Sequence, residues 1–531
     1  LKRRYDVVVI GSGFGGSITA CRLAQAGRRV CVLERGRRWR NIDFPRSPGQ
    51  IARNAFWAPA SAQFGLLDYR VFRRMHVIQG CGVGGGSLHY FNVHLRPPAA
   101  IFDDPRWPAE IDLETLDPYY VLAEEMLEPA PLSSQAERGL PTRTTAFLDA
   151  CETANRSAEL VPIAVYTGPG RRSPHGTAAQ QPCDYSGACM IGCATHAKNS
   201  LDLNYLALAE EHGAEVYPLH DVYEIDPIKR GTGYRVRYER LAGGITEIAA
   251  GEVRAETVIV AAGTLGTAEL LLRCRDRAGS LPDLSSTLGL GFSGNGDLLL
   301  AGTLTDADID AGPGPSITAG ADFATARQQM YVEDLGLPNP LFWFLEGMLA
   351  DAAGARDVLG LIKFLIQGEL GVPGATRRVA RERERLLGGG RTRGFLPYLG
   401  MCEDAADGTL LLDESGALEL QWNPAASKQS FLELEDGLRE LSSALEGEYV
   451  PSPLSLAGDL LTAHPLGGCR MAADACEGVV DHRCEVHGYP GLFVIDGSVV
   501  PTALSRNPTA TISALAERAA FLMIHDRELA R

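Results

Sequence analysis

Gly11-Ser12-Gly13-Phe14-Gly15-Gly16 sets three glycines at the spacing by which a backbone can lie against a pyrophosphate. Gly11 permits a tight turn, Gly13 a close approach to phosphate oxygens, and Gly16 the close packing of a helix on a strand. Farther on, Glu34 offers a carboxylate that can accept hydrogen bonds from ribose hydroxyls and that repels a 2′-phosphate, which disfavours NADP. A second loop, Gly80-Cys81-Gly82-Val83-Gly84-Gly85-Gly86-Ser87-Leu88-His89-Tyr90, bares backbone N–H groups suited to a phosphate or a flat ring, a flexible hinge being the plainer alternative. His464, just before Pro465, carries an imidazole whose unperturbed pKa of about 6.5 suits it to take a proton near neutrality. Alone, such a histidine is more readily a turn residue. Asn507-Pro508 opens a helical pattern, and a helix N-terminus can stabilise negative charge close to its first turn.

These residues need elements to hold them. Val7-Val8-Val9-Ile10 is a β-branched run of the kind buried on both faces of a parallel sheet, Ser17 to Ala26 reads as a helix closed by Gly27, and Val30 to Glu34 reads as the next strand. The result is a complete βαβ unit around the first glycine motif. Ser200 to His212 predicts a helix, Glu215 to Leu219 a strand, and Thr257 to Ala262 a buried strand opening through Gly263 into a helix ending near Leu272. Leu492 to Asp496 predicts a last strand, and Thr509 to about Ile524 a helix with Pro508 at its first position and Asn507 as its N-cap.

A chain of 531 residues has room for two to four structural units, and 45% hydrophobic with 22% charged residues is a globular composition. The net charge of −16 repels phosphate backbones and argues against nucleic acid as a partner. No run reaches the roughly 18 to 20 apolar residues of a membrane-spanning helix. Leu1 to Asp6 carries no signal-peptide pattern, so a cytoplasmic location is the default expectation, with export left open for a processed start. Twelve cysteines without a regular framework are read mostly as free thiols. Cys183, Cys189 and Cys193 have the spacing of a ferredoxin run whose second ligand is Ser186; three thiolates fall one short of a standard cluster, which favours packed thiols and no metal.

Taken together, Gly11 to Gly16 with Glu34, Gly82 to Leu88, Ala197 to Asp202, Ala261 to Gly266, His464 to Cys469, and Asp496-Gly497-Ser498 through Asn507-Pro508 resemble the glucose-methanol-choline (GMC) oxidoreductase family, in its bacterial cholesterol oxidase-like branch. The resemblance implies an α/β fold: a Rossmann-like FAD-binding domain (1–100, 200–290 and 462–531) with an interleaved α+β substrate-binding domain (101–199 and 291–461). It implies FAD held by Gly11, Gly13, Gly15, Gly16, Glu34, Gly82, Gly84, Gly85, Gly86, Ser87, His89, Val222, Ala262, Gly263, Asp496, Gly497, Asn507, Pro508 and Thr509. It also implies His464 and Asn507 as the catalytic pair: His464 takes a hydroxyl proton directly or through water, a hydride passes to flavin N5, and Asn507 orients the oxygen. The expected substrate is an alcohol, secondary and on a bulky apolar steroid- or polyketide-like molecule, with oxygen or another acceptor taking the electrons.

Two departures matter. His89-Tyr90 stands where cholesterol oxidases have Asn, and a histidine there is similar to the one that bonds covalently to FAD in some relatives. No acid aligns with the carboxylate of steroid isomerisation, Glu333 and Glu346 being weak candidates. Rival readings are an FAD-dependent dehydrogenase or isomerase of a biosynthetic pathway, and a non-catalytic flavin-binding protein that touches membranes. The greasy stretch from Pro338 to Leu370 bears on the last: it predicts two short helices, either a buried hairpin or a lid assisted by Arg377, Arg378, Arg381, Arg383 and Arg385 that makes peripheral membrane contact.

Overall fold

A computed structural model describes residues 1–133, 138–174, 178–229, 231–241, 248–338, 341, 394–456 and 458–525. The helical hairpin expected after Pro338 and its arginines fall almost wholly outside them. The first strand is Arg4–Ile10 and the next Val30–Glu34, every residue of the latter buried, as a two-faced parallel strand requires. The helix between them is Phe14–Gln25, three residues earlier than its pattern suggested, because Gly15 and Gly16 sit inside its first turn where other elements press on the backbone. The helix expected from Ser200 splits into a 3₁₀ turn, Leu201–Leu203, and an α-helix, Tyr205–Glu211; the Asn204 side chain between them accepts from the Tyr205 N–H.

The strands run in the spatial order Glu215–Pro218, Val30–Glu34, Arg4–Ile10, Ile248–Val260, and all four are parallel. The 13-residue strand Ile248–Val260 joins the parallel and antiparallel parts of this one seven-stranded sheet. Its last residues pair in parallel with Leu492–Val494, and its first half pairs antiparallel with Tyr234–Leu241, which in turn pairs with His220–Pro227. The C-terminal ends of Arg4–Ile10, Ile248–Val260 and Leu492–Val494 therefore deliver Gly11, Ala262-Gly263 and Asp496-Gly497 to one edge, the edge where open α/β sheets bind ligands.

A second, antiparallel sheet of six strands follows the order Glu448–Val450, Leu298–Leu304, Phe395–Cys402, Met330–Asp334, Ala319–Asp322, Ala158–Leu160. The helices Thr142–Thr153 and Lys428–Ala444 cover one face of it, where Leu298, Tyr398 and Leu434 share a core. Leu299, Tyr331, Leu399 and Met401 belong to a different core on the other face. The helix Leu113–Leu127, although within 101–199, packs with the first sheet instead: Leu116 and Tyr120 lie in its core, and the Tyr120 hydroxyl is 3.0 Å from Thr511 Oγ1.

A third, small sheet aims the reactive segments. The hairpin Leu67–Phe72 and Met75–Gly80 is joined by Leu460–Thr462, which runs parallel to Met75–Gly80 with Thr462 opposite Val77. Parallel partners end on the same side, so the glycine loop after Gly80 and the turn bearing His464 emerge together. No helix among the described residues is long and apolar enough to cross a membrane.

Candidate active site

The two glycine loops interlock. A Cβ on Gly15 would stand 1.6 Å from the Ile495 carbonyl oxygen, one on Gly11 (φ +96°) 2.2 Å from that of Ala261, and one on Gly85 (φ +53°) 2.5 Å from the Gly13 Cα. Glu34 joins the loops: Oε2 accepts from the Ser12 N–H (3.0 Å) and hydroxyl (2.7 Å), and Oε1 from the N–H groups of Gly36 (2.8 Å) and Gly82 (3.3 Å). A ribose placed there must share lone pairs that already hold the loops. The Gly84 N–H donates to Ser12 Oγ at 3.1 Å, and the Ser87 hydroxyl donates to the Gly84 carbonyl at 2.7 Å while accepting from the Leu201 N–H.

A cavity of about 740 Å³ lies along these loops, within the range of small-molecule and cofactor sites. Gly11, Gly13, Gly15, Glu34, Gly85, Gly86, His89, Val222, Ala262, Gly263, His464, Asp496, Gly497, Asn507, Pro508 and Thr509 all border it. Gly16, Gly82, Gly84 and Ser87 do not: they shape the loops from behind, Gly16 because its Cβ would meet the Gly11 carbonyl oxygen at 2.2 Å. Toward the second sheet the wall becomes apolar, with Phe91, Val93, Met190, Leu299, Leu335 and Leu337.

His464 stands where the two halves meet. Its Nδ1 is 2.9 Å from Asp297 Oδ1, whose side chain is fully buried; Asp297 Oδ2 accepts from the Thr462 hydroxyl and the Ala463 N–H, both at 3.0 Å. A carboxylate only accepts, so Nδ1 carries a hydrogen, and Nε2 is the ring nitrogen left to face a reacting group. The pattern Gly294-Asn295-Gly296-Asp297, an acid closing a glycine turn before an apolar strand, was the signal available for Asp297, but nothing along the chain tied it to a histidine 167 positions on.

Asn507 does not cap the last helix. That helix is Thr509–His525, with the Pro508 carbonyl accepting from the Ile512 N–H, so Asn507 lies one residue too early. Its Nδ2 donates instead to Glu333 Oε2 at 3.2 Å. Glu333, on the strand Met330–Asp334, is fully buried, and burial pushes its carboxyl up to about 8. Asp496 likewise turns inward, accepting from the Gly263 N–H (2.9 Å), Thr267 hydroxyl (2.5 Å) and Ser498 N–H (2.9 Å), and burial raises its carboxyl.

Two more buried groups frame the site. The Lys198 ammonium donates to the carbonyls of Leu88, Tyr90 and Cys189 at 2.8–3.0 Å, holding the turn that carries His89, and burial lowers it to about 8. Burial, then the nearby Lys198 and His464, push His89 down to about 3, so its imidazole is neutral. The three cysteines are packed: Cys189 Sγ accepts from the Asn92 amide at 3.1 Å, and Cys193 Sγ lies 3.4 Å from Thr195 Oγ1. Among the described residues no three His, Cys, Asp or Glu side chains form a set that could hold a metal.

A family model described as GMC oxidoreductase matches residues 5–275, and a second of the same description matches 413–516. The chain belongs to the GMC oxidoreductase family. It is 32% identical to a cholesterol oxidase of Mycobacterium tuberculosis, over 98% of this chain and 91% of that one, and 30% identical to a cholesterol oxidase of Acinetobacter baumannii, over 97% and 93%. Its fold is similar to that of pyridoxine 4-oxidase from Mesorbium loti, with a TM-score of 0.62 at 16% identity over 98% and 99% of the two chains. This GMC oxidoreductase is thus an FAD-dependent enzyme of the α/β class that acts on CH–OH groups.

The cavity fits that cofactor on steric grounds. A Cβ added to Gly13 or Gly86 would meet no protein atom within 4 Å, yet both border the cavity. The protein leaves open space beside the bare backbone at these two positions, as a ligand lying against that backbone would need. Gly13, Gly86 and the start of the helix Thr509–His525 are the groups that would hold its phosphates and ring.

Proposed function

We propose that this GMC oxidoreductase oxidises a secondary alcohol on a bulky apolar molecule of the steroid kind, with His464 as the base. The observation that carries the reading is the Asp297–His464 pair at the junction of the glycine cradle and an apolar wall. His464 Nε2 accepts the hydroxyl proton, directly or through one water, while Asp297 steadies the imidazolium that forms. Asn507 bounds the oxygen from the other side and so fixes which carbon is presented. The apolar wall excludes water and seats the carbon skeleton. FAD bound along the cradle supplies the acceptor for the hydride, at its N5. The two cholesterol oxidases among the relatives support the substrate class. We further propose two interleaved units, with the helix Leu113–Leu127 assigned to the cofactor unit that it packs against.

Anaerobic bleaching of the yellow holoenzyme by a panel of sterols, aliphatic alcohols and sugars, followed by admission of oxygen, tests the reading and identifies the acceptor. A sterol or similarly bulky alcohol should bleach it; bleaching by sugars alone would overturn the substrate class. His464→Ala should stay yellow and be reduced roughly 10²- to 10⁴-fold more slowly. A wild-type rate would remove His464 from the mechanism.

A further inference from the structure

We propose that the turn Ser293 to Asp297 is a positioning bracket that fixes His464 and Asn507 relative to each other, through Asp297 on one side and Asn295 on the other. The proposal rests on the reading of His464 and Asn507 as the reacting pair and assigns what holds them in register.

The two residues come from distant segments: His464 follows the strand Leu460–Thr462, and Asn507 precedes the last helix. Both segments are bound to the same five residues. Asp297 takes His464 Nδ1, the Thr462 hydroxyl and the Ala463 N–H, three groups within three consecutive positions. Asn295 uses both ends of its amide on the other segment, donating to the Arg506 carbonyl at 2.9 Å and accepting from the Leu504 N–H at 2.8 Å. Ser293 pairs with Leu466 through two backbone bonds of 2.9 and 3.0 Å, closing the turn over His464-Pro465.

The bracket is itself anchored. Asp404, buried, accepts from the Ser293 hydroxyl (2.6 Å) and from the N–H groups of Gly294 (2.9 Å) and Gly296 (3.2 Å). Asn295, Asp297 and Asp404 are three buried polar side chains, each of which would destabilise the fold if its bonds were not made. The bonds of Asn295 and Asp297 converge on the segments that bear the reactive side chains. Displacement of such groups by about 1 Å can slow a reaction roughly a hundredfold, which is the scale of what the bracket controls.

Asp297→Asn preserves shape, and Asn295→Gly removes the amide at a position whose φ of +58° glycine tolerates. Both holoenzymes should retain FAD and be reduced at saturating alcohol roughly tenfold or more slowly, with half-saturation changed far less. Cholesterol is the first probe, replaced by the best alcohol of the bleaching panel if that differs. Asn295→Gly should add nothing in an Asn507→Ala background, whereas Asp297→Asn should keep its full effect there and add nothing in a His464→Ala background. Where His464→Ala and Asn507→Ala are themselves slow, a wild-type rate for either single variant, or full additivity in every background, overturns the bracket. Histidine-selective ¹⁵N spectra provide a readout without substrate: His464 should be the Nδ1–H tautomer in the wild type and lose that preference in Asp297→Ala, and an unchanged tautomer also overturns it. If His464→Ala is reduced normally while the tautomer follows Asp297, the base assignment fails and the bracket stands.

Discussion

At the cradle end of the cavity, the Glu34 carboxylate accepts four hydrogen bonds from Ser12, Gly36 and Gly82. At the reactive end, Asn507 Oδ1 and Glu333 Oε1 are buried and, among the described residues, have no hydrogen-bond partner. An unpaired buried polar atom destabilises a fold by about 1–3 kcal/mol, so such atoms persist where something else uses them. The contrast separates two tasks. The glycine loops are locked by close backbone contacts, and the Glu34 carboxylate that joins them has both oxygens engaged. On the proposed reading, Asn507, which borders the cavity, keeps its Oδ1 for a substrate to use.

The contrast breaks most sharply at Gly15. Alanine there puts a Cβ 1.6 Å from the Ile495 carbonyl oxygen, just past the strand Leu492–Val494 and next to Asp496-Gly497, so the two cannot both stay. Gly15→Ala should yield no folded, yellow protein, by solubility and by the visible spectrum. Gly13→Ala, two residues away, should behave differently. Its Cβ meets no protein atom, and the chain should fold with a thermal midpoint within a few degrees of the wild-type apoprotein. FAD affinity, followed by flavin fluorescence quenching, should fall at least tenfold because the methyl occupies the space of the phosphates. Normal FAD binding by Gly13→Ala would move the phosphates elsewhere in the cavity.

The cradle was legible because its determinants are local. β-Branched strands, glycine turns and the acid at the end of the second strand follow one another within Val7 to Glu34, and each acts on near neighbours. The reactive end was legible only in its two named residues. Asp297, Asn295 and Glu333 reach their partners across some 165 to 211 positions, a relation that spacing does not encode. Asn507 before Pro508 suited a helix cap equally well, and what sent its side chain to Glu333 is the placement of the second sheet's strand Met330–Asp334. Lys198 lay within a recognised motif, but its three carbonyl partners come from two other loops.

The smallest effect concerns the price of that reactive end. Burial raises Glu333 from its ordinary 4.5 to about 8, so the native state holds a proton that the unfolded chain has released between those values. Stability on this account is greatest below pH 4.5, declines as pH rises through the interval, and reaches its floor above 8. Glu333→Gln keeps the shape and removes the titration. The variant should match the wild type in thermal midpoint at pH 5 and exceed it by a few °C at pH 8.5, the increment set by a shift of this size in a chain of this length. Scanning calorimetry of both holoenzymes across that range measures it. A midpoint difference that does not grow with pH would mean that the Glu333 carboxyl ionises as readily in the native state as in the unfolded chain, and the cost assigned to the reactive end would vanish.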